Sequence, residues 1–507
     1  MQGGLRKSGG RFCFISVLGQ KILYFTYMNL RELLLENRTL RQTIFKNTFW
    51  LFSGHTVSRL FKFFLIVYAA RILGVVEYGS FSLALAIGAI AFMFSDIGLN
   101  ALLIREFPKK ETDPRKLIST SFYLKIILIF LSIAIALPLQ VSFRHQISAL
   151  IFWLVVGLYI FDVFRDFFIS IAGAEEKMQL QSFALIAEGI ATTALGFFFL
   201  YHYGTVFSLV LAYVTGSGIG IVVGAFTVKQ RLSGIFSFFD SLSAKRILAA
   251  AWPFAFAAVI SASLIQIDII MLGWLKDATA VGQYSVGSRI IQMLFIIPML
   301  VAGAIFPSTS RLVFDKERIA TITQKAISFM MLIAVPITFG GIALSQRIIS
   351  KVFGDAFLRG ADSFSLLLFV MVMFSATIIL DYLLLILNLQ KKDMEYTAIA
   401  AGLNVILNLL FILRWGIIGA AAATAISQFV NLFLTLRLAH KVVQFPLFPV
   451  KHAVLYIVAG IAMTVFIFLF WHISLWFLVP LSALFYFCML FALRAPLMSE
   501  TVELIKG

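Results

Sequence analysis

His55, Arg59 and Lys62 occupy positions i, i+4 and i+7 of one long apolar stretch, TFWLFSGHTVSRLFKFFLIVYAARILG. At about 100° per residue, the three fall within an arc of about 60° on a helix. The stretch is long enough to cross a bilayer, which takes about 20 apolar residues. A charge at mid-bilayer costs at least about 2.5–3.5 kcal/mol on insertion scales. Two cations on one stripe are therefore expected to face a wet cavity or a partner. The chemistry such a stripe offers is anion binding: Arg grips phosphate through two parallel hydrogen bonds, and Lys acts as a point charge. A competing reading places Lys62 in an internal ion pair with an acid of a neighbouring span, or snorkelling to an interface. His55 is either a packing residue or, beside a cavity, a titrating one.

Other ionisable groups inside apolar stretches extend the set. Asp268 has Ser261 seven residues before it on about the same face, and Arg289 shares a stripe with Ser285 and Gln292. Asp268 and Arg289 either neutralise each other or serve headgroup binding and ion coupling. Asp162, Arg165 and Asp166 are spaced for a pair within one helix, with Lys125 as a cross-helix partner. Glu188 and Asp381 read as isolated carboxylates, candidate sites for a proton or a cation. Asp96, with Arg105 beyond it, reads as a helix-end or gate contact. The substrate-binding candidates are thus Arg59, Lys62, His55, Arg289 and Gln292. The candidates for ion coupling or charge pairing are Asp268, Glu188, Asp381, Asp162, Arg165 and Asp166. No catalytic or metal-ligating set is expected, nor any cofactor beyond a coupling H+ or Na+. The chain lacks a GxxxxGK[ST] phosphate loop, so direct ATP hydrolysis is not expected of it. Cys13 and Cys488 offer neither a disulfide framework nor a CxxC motif.

The elements that position these groups are membrane spans. The chain is 61% hydrophobic and only 13% charged, whereas soluble domains are about a quarter charged. Fourteen hydrophobic spans are expected, giving an all-α integral membrane fold with two six-helix lobes and two further C-terminal helices. The divisions are a basic cytoplasmic extension (1–46), an N-lobe (47–230), a cytoplasmic linker (231–246), a C-lobe (247–441), and the last two spans with a tail (442–507). Translation from Met28 is an alternative start. An even span count puts both termini on one side. The basic linkers REFPKKETDPRK, KQRLSG, RLVFDKERIATITQK and LQKKDME make that side cytoplasmic. The net charge of +17 is thus topological and suits an anionic inner leaflet, not nucleic acid. Gly216, Gly220 and Gly224 form a close-packing ridge. Pro253, Pro298 and Pro336 are expected to interrupt their spans.

A repeat relates the halves. Gly79-Ser80-Phe81-Ser82 opens the second span and Gly282-Gln283-Tyr284-Ser285 the eighth, both reading Gly-x-aromatic-Ser. A second echo pairs Gly173-Ala174-Glu175-Glu176-Lys177 with Asn388-Leu389-Gln390-Lys391-Lys392. Six spans per unit make this a parallel repeat, related by an axis along the membrane normal.

ARILGVVEYGSFSLA, followed by Asp96-x-Gly98-Leu99, resembles the N-terminal signature of oligosaccharide-lipid flippases. These are the O-antigen and exopolysaccharide flippases of the MATE-like MOP superfamily. Ala401-Gly402-Leu403-Asn404 to Asn408-Leu409, then Arg414-Trp415-Gly416-Ile417-Ile418-Gly419-Ala420-Ala421, is similar to the late signature of that family. The resemblance spans roughly residues 40 to 495. It implies two six-helix lobes around a central cavity. It also implies movement of an isoprenoid-diphosphate-linked oligosaccharide across the cytoplasmic membrane by alternating access, by a monomer working with membrane lipids and other polysaccharide-assembly proteins. The nearest alternative is a cation-coupled multidrug exporter of the same superfamily, whose cavity would favour carboxylates. A membrane glycosyltransferase or polysaccharide polymerase is the alternative from another class, but no outer loop carries a paired-carboxylate motif.

Overall fold

A computed structural model of the chain describes residues 40–107, 113–232, 234–236 and 239–493. Cys13, the alternative start at Met28 and the C-terminal tail lie outside the described residues. The described chain is all-α. In order it forms α1 (Leu40–Phe92), α2 (Leu99–Glu106), α3 (Pro114–Ser142), α4 (Ala149–Ala174), α5 (Met178–Tyr203), α6 (Val206–Thr227) and a short α7 (Lys229–Leu232). There follow α8 (Ser241–Leu275), α9 (Ala278–Leu294), α10 (Ile296–Thr309), α11 (Lys316–Phe353), α12 (Ala361–Ile386), α13 (Gln390–Val443), α14 (Val450–Leu469) and α15 (Leu475–Ala492). Among the described residues, nine helices are long and apolar enough to cross a membrane, or ten if the bent pair Lys46–Ser95 and Leu99–Glu106 is one span. The 26-residue α4 falls outside that count through composition, because Asp162, Arg165 and Asp166 interrupt it.

The two longest helices are each broken at a glycine. Gly74 divides α1 at φ 73, ψ −178, and Gly416 divides α13 at φ 58, ψ −130. Both conformations are open to glycine and costly for residues with a Cβ. Beyond the break in α13 the chain doubles back so closely that a Cβ on Gly419 would lie 2.2 Å from the Phe411 carbonyl oxygen. The turns after α4 and α12 each carry a non-glycine residue at φ 57, Glu176 and Asn388. Of the three prolines expected to interrupt spans, Pro298 alone sits beside a break, between α9 and α10 at Phe295. Helix α8 runs unbroken through position 253, and α11 continues through Pro336.

Helices α1–α6 pack mainly among themselves, as do α8–α13, with α14 laid on α11 and α15 on α14. Small residues bring backbones together. Gly189 and Gly196 of α5 face Ser58 and Leu65 of α1, and Gly216 of α6 faces Thr192 of α5. The expected ridge thus serves packing, with Gly220 against Arg165 and Glu188, and Gly224 against Phe168. The two groups of helices meet through the second arm of α1, along α8 and α9. There Tyr78, Phe81, Ile269 and Tyr284 share one buried core. Outward faces are apolar: Trp476 and Phe477 of α15 are exposed while Leu478 and Tyr486 are buried. A face of that kind suits lipid rather than water.

Candidate functional site

The first arm of α1 presents His55, Arg59 and Lys62 to two adjoining hollows. One is lined by polar and charged side chains; the other is larger and apolar. The polar hollow encloses about 380 Å³ and is bounded by α1, Asn100 of α2, Asp162, Arg165 and Asp166 of α4, and Gln181 and Glu188 of α5. The apolar one encloses about 1080 Å³ between α1 and α10, bounded by Phe49, Phe52, Met299, Leu300, Phe306 and Tyr382 among others. His55 and Arg59 border both. The cationic stripe therefore borders open space, His55 and Arg59 along both hollows and Lys62 along the polar one.

The three residues differ in what they touch. Lys62 Nζ donates to Glu188 Oε1 at 2.5 Å, the internal ion pair that the sequence left as a competing reading. Glu188 is accordingly not isolated. Its other oxygen accepts from Arg165 Nη1 at 2.5 Å. Arg165 also binds Asp162 at 2.6 Å and Asp166 at 2.8 Å, and Ser217 of α6 donates to Asp162 at 2.6 Å. The within-helix pairing in α4 is thus part of a larger network joining α1, α4, α5 and α6. Arg59 stands apart: it is exposed and makes no ion pair or hydrogen bond among the described residues. His55 is likewise exposed, at the mouth between the hollows.

Lys125 does not join this network. Its buried ammonium donates to Asp96 Oδ1 at 2.8 Å, because α3 packs on the segment that follows α1 rather than reaching across to Arg165. Asp96 also accepts from the Asn100 backbone N–H, so it caps the start of α2, while Arg105 pairs with its neighbour Glu106.

A second polar centre lies among α8, α9 and α13. Asp268 is buried and accepts from Tyr284 Oη at 2.5 Å, Thr424 Oγ1 at 2.5 Å and Asn408 Nδ2 at 2.6 Å. Asn408 Nδ2 also reaches Asn404 Oδ1 at 3.0 Å, and Thr424 donates to Ala420 O at 3.1 Å. The carboxylate forms no ion pair among the described residues, and Asn408 Oδ1 is buried with no hydrogen-bond partner. Oxygen atoms thus gather around one uncompensated charge, a donor set that suits a hard monovalent cation or a proton. Asp268 and Arg289 do not neutralise each other. Arg289 Nη1 donates to Gln292 Oε1 at 3.3 Å and lies within electrostatic reach of the Tyr78, Tyr159 and Tyr213 hydroxyls. Neither Arg289 nor Gln292 borders the two hollows. Asp381 is not isolated either. It faces Asp393 of α13, and each has one carboxylate oxygen buried without a partner.

Sequence reasoning did not pick out Tyr284, Asn404, Asn408 and Thr424 as partners of Asp268, or Ser217 as a partner of Asp162. Their polar side chains lie on faces of spans otherwise filled with small and apolar residues. That signal is visible but not specific, since only the packing of α13 on α8 brings the residues together.

Comparison with known proteins accords with this architecture. Over 169 residues the chain is 31% identical to a "probable low-salt glycan biosynthesis flippase" of Haloferax volcanii, covering 33% of this chain and 36% of that protein. Over 409 residues it is 24% identical to a "putative O-antigen transporter" of Shigella flexneri, covering 77% of this chain and 96% of that one. Its fold is similar to that of the lipid II flippase MurJ in an inward closed conformation, with a TM-score of 0.74 at 17% identity over 89% of this chain and 99% of that one. The polysaccharide biosynthesis protein family matches residues 44–313, more than half of the sequence, and the chain belongs to that family.

Proposed function

We propose that the polar hollow receives the diphosphate-sugar headgroup of an isoprenoid-linked oligosaccharide, with Arg59 as its first grip, while the apolar hollow between α1 and α10 takes the adjoining part of the lipid. The chain is an oligosaccharide-lipid flippase of the MATE-like MOP superfamily, a transporter in the cell membrane and not an enzyme. The observation that carries the headgroup reading is Arg59: an arginine without an acid partner among the described residues, at the junction of a polar and an apolar hollow. An amphiphilic anion needs both compartments and a cation where they join. A multidrug exporter, the other reading, would need an uncompensated acid there, yet each acid bordering the polar hollow is bound to Arg165.

In this reading the membrane is crossed fourteen times. The breaks at Gly74 and Gly416 count as turns between spans, α2 continues the second span, and α9 with α10 makes the eighth. The halves form two six-helix lobes in a parallel pseudo-repeat, with α14 and α15 added. Support comes from the matching φ values at Glu176 and Asn388 and from the contact between the two Gly-x-aromatic-Ser tetrads. Both termini are cytoplasmic, and the end that holds the hollows opens inward. One chain carries out the cycle. Energy comes from coupled entry of H+ or Na+, with Asp268, Asn404, Asn408 and Thr424 as the residues that would hold the ion.

The test is export. Arg59→Gln and the double variant Arg59→Gln with Lys62→Gln are expected to abolish the surface glycan in cells while the protein inserts at wild-type levels. Normal glycan at matched expression would overturn the headgroup assignment.

A further inference from the structure

Glu188 touches both Lys62 and Arg165, and it does so with one carboxylate oxygen each, 2.5 Å in either case. The two cations come from different helices, α1 and α4. An anionic oxygen pair facing charged N–H donors is also how a phosphoryl group is held. The bridge is unevenly exposed. The Glu188 and Arg165 side chains are 3% and 9% exposed, whereas Lys62 keeps 27% toward the polar hollow. The partners are unequal as well. Arg165 has Asp162 and Asp166 besides Glu188, but Lys62 has no second acid among the described residues. Arg59, one helical turn before Lys62, borders the same hollow.

Building on the diphosphate reading above, we propose that Glu188 is a built-in competitor for the cargo. Its carboxylate holds Lys62 while the hollow is empty, and the headgroup seats by taking Lys62 from Glu188, with Arg59 as the second grip. The exchange leaves no buried charge unpaired. Glu188 retains Arg165 through its other oxygen, so the large penalty for stranding an ion away from water does not arise. The arrangement also limits affinity. An anion meeting two free cations in a partly dry hollow would dissociate slowly, and differences in affinity reside mostly in the rate of leaving. A carboxylate ready to reclaim Lys62 speeds that departure, which a transporter requires.

The experiment uses the full-length protein in detergent, with farnesyl diphosphate as probe, inorganic pyrophosphate to separate head from tail, and farnesol as the uncharged control. Binding is measured for wild type, Arg59→Gln, Glu188→Gln, Glu188→Asp and the pair Glu188→Gln with Lys62→Gln. Glu188→Gln is expected to bind farnesyl diphosphate about tenfold more tightly than wild type, the scale of one close charge pair, and the added Lys62→Gln is expected to cancel the gain. Glu188→Asp serves if the Gln variant folds poorly, because the shorter side chain that stays on Arg165 lets Lys62 go. It too is expected to bind more tightly. Affinity equal to or below that of wild type in whichever of these two variants folds overturns the competitor role. If wild type binds and Arg59→Gln weakens it, that outcome leaves the diphosphate reading standing. If wild type binds farnesol as well as farnesyl diphosphate, or binds neither, the diphosphate reading itself falls, and the competitor with it.

Discussion

Gly79 and Gly282, which open the two Gly-x-aromatic-Ser tetrads, lie against each other where the two groups of helices meet. A Cβ on Gly79 would lie 2.9 Å from the Gly282 nitrogen and 1.8 Å from the Ala278 carbonyl oxygen, and one on Gly282 would lie 2.1 Å from the Val75 oxygen. The obstacle is backbone in each case, which has no rotamer to yield. Nearby, Arg71 Nε donates to Val352 O at 2.8 Å and Gln146 Nε2 to Gly273 O at 2.5 Å. This end of the bundle is closed by these contacts, while the hollows lie toward the other end.

Valine at either glycine is therefore expected to force the closed end apart, with overpacking worth about 1–3 kcal/mol. Spin labels at Arg144→Cys and Lys276→Cys, in a background with Cys13 and Cys488 replaced by Ser, report the gap. The expected result is a longer, broader distance distribution in Gly79→Val and Gly282→Val than in the unaltered pair. An unchanged distance would show that the glycines do not govern closure.

The two helix breaks give a cleaner test of backbone strain. A Cβ added at Gly74 or Gly416 meets nothing within 4 Å, so any cost of alanine there comes from the φ and ψ it must adopt. Gly74→Ala and Gly416→Ala are expected to destabilise the protein by about 1–3 kcal/mol each. Gly157 and Gly402 also have open space around them, but no such φ. Alanine at those helical positions is expected to stabilise by about 0.4–1 kcal/mol. Thermal unfolding in one detergent decides the matter, since opposite signs are required of the two pairs.

What the sequence shows and what it hides follow from the range of each interaction. An all-helical chain with many apolar spans was legible because apolar length is a local property, and the stripe of His55, Arg59 and Lys62 because helical spacing is local too. The opening of that stripe onto a hollow followed from the cost of charge in lipid. Pairing was not legible. Glu188 is 126 residues from Lys62, and nothing near either residue names the other. Lys125 was assigned to the wrong acid for the same reason: Asp96 and Asp162 both lie within reach of a span containing Lys125, and only the packing of α3 chooses between them. Proline misled differently. The groups freed by a proline in a membrane helix are re-satisfied locally, so Pro336 leaves α11 continuous.

A pH effect is expected at the turn after α4. Glu175 is partly buried, which alone would raise its pKa, but hydrogen bonds from Lys177 Nζ at 2.8 Å and Arg231 Nε at 2.7 Å hold it below the ordinary glutamate value of 4.5. A group depressed in the folded state contributes its stabilisation fully above its unfolded pKa. It loses that contribution as pH falls through the lower, folded value. Both cations are nearly half exposed, so solvent screening holds the contribution at neutral pH to at most about 1 kcal/mol. Glu175→Gln is expected to unfold slightly earlier than wild type at pH 7, with the difference shrinking once pH falls below 4.5 and gone beneath the lower, folded value. A difference that persists undiminished in acid would mean that the side chain acts by packing and not by charge.

The sharpest distinction concerns Asp268. Its three donors are two hydroxyls and one amide, and hydroxyl hydrogens turn to suit a new partner. Asp268→Asn therefore keeps a satisfiable network and is expected to fold, whereas Asp268→Ala strands buried polar groups at about 1–3 kcal/mol each. What Asn cannot supply is the negative charge that an ion would need. If sodium binds here, wild type unfolds at a higher temperature in NaCl than in choline chloride of equal ionic strength. The gain approaches about 2.7 kcal/mol at a hundred times the dissociation constant. Asp268→Asn is expected to lose that gain while folding in choline as wild type does. If the ion is a proton, sodium has no effect, and the wild-type dependence of transport on an imposed pH gradient disappears in Asp268→Asn. Transport by Asp268→Asn at the wild-type rate, under both a sodium and a proton gradient, would remove this centre from the coupling mechanism and leave it as a strut between α8 and α13.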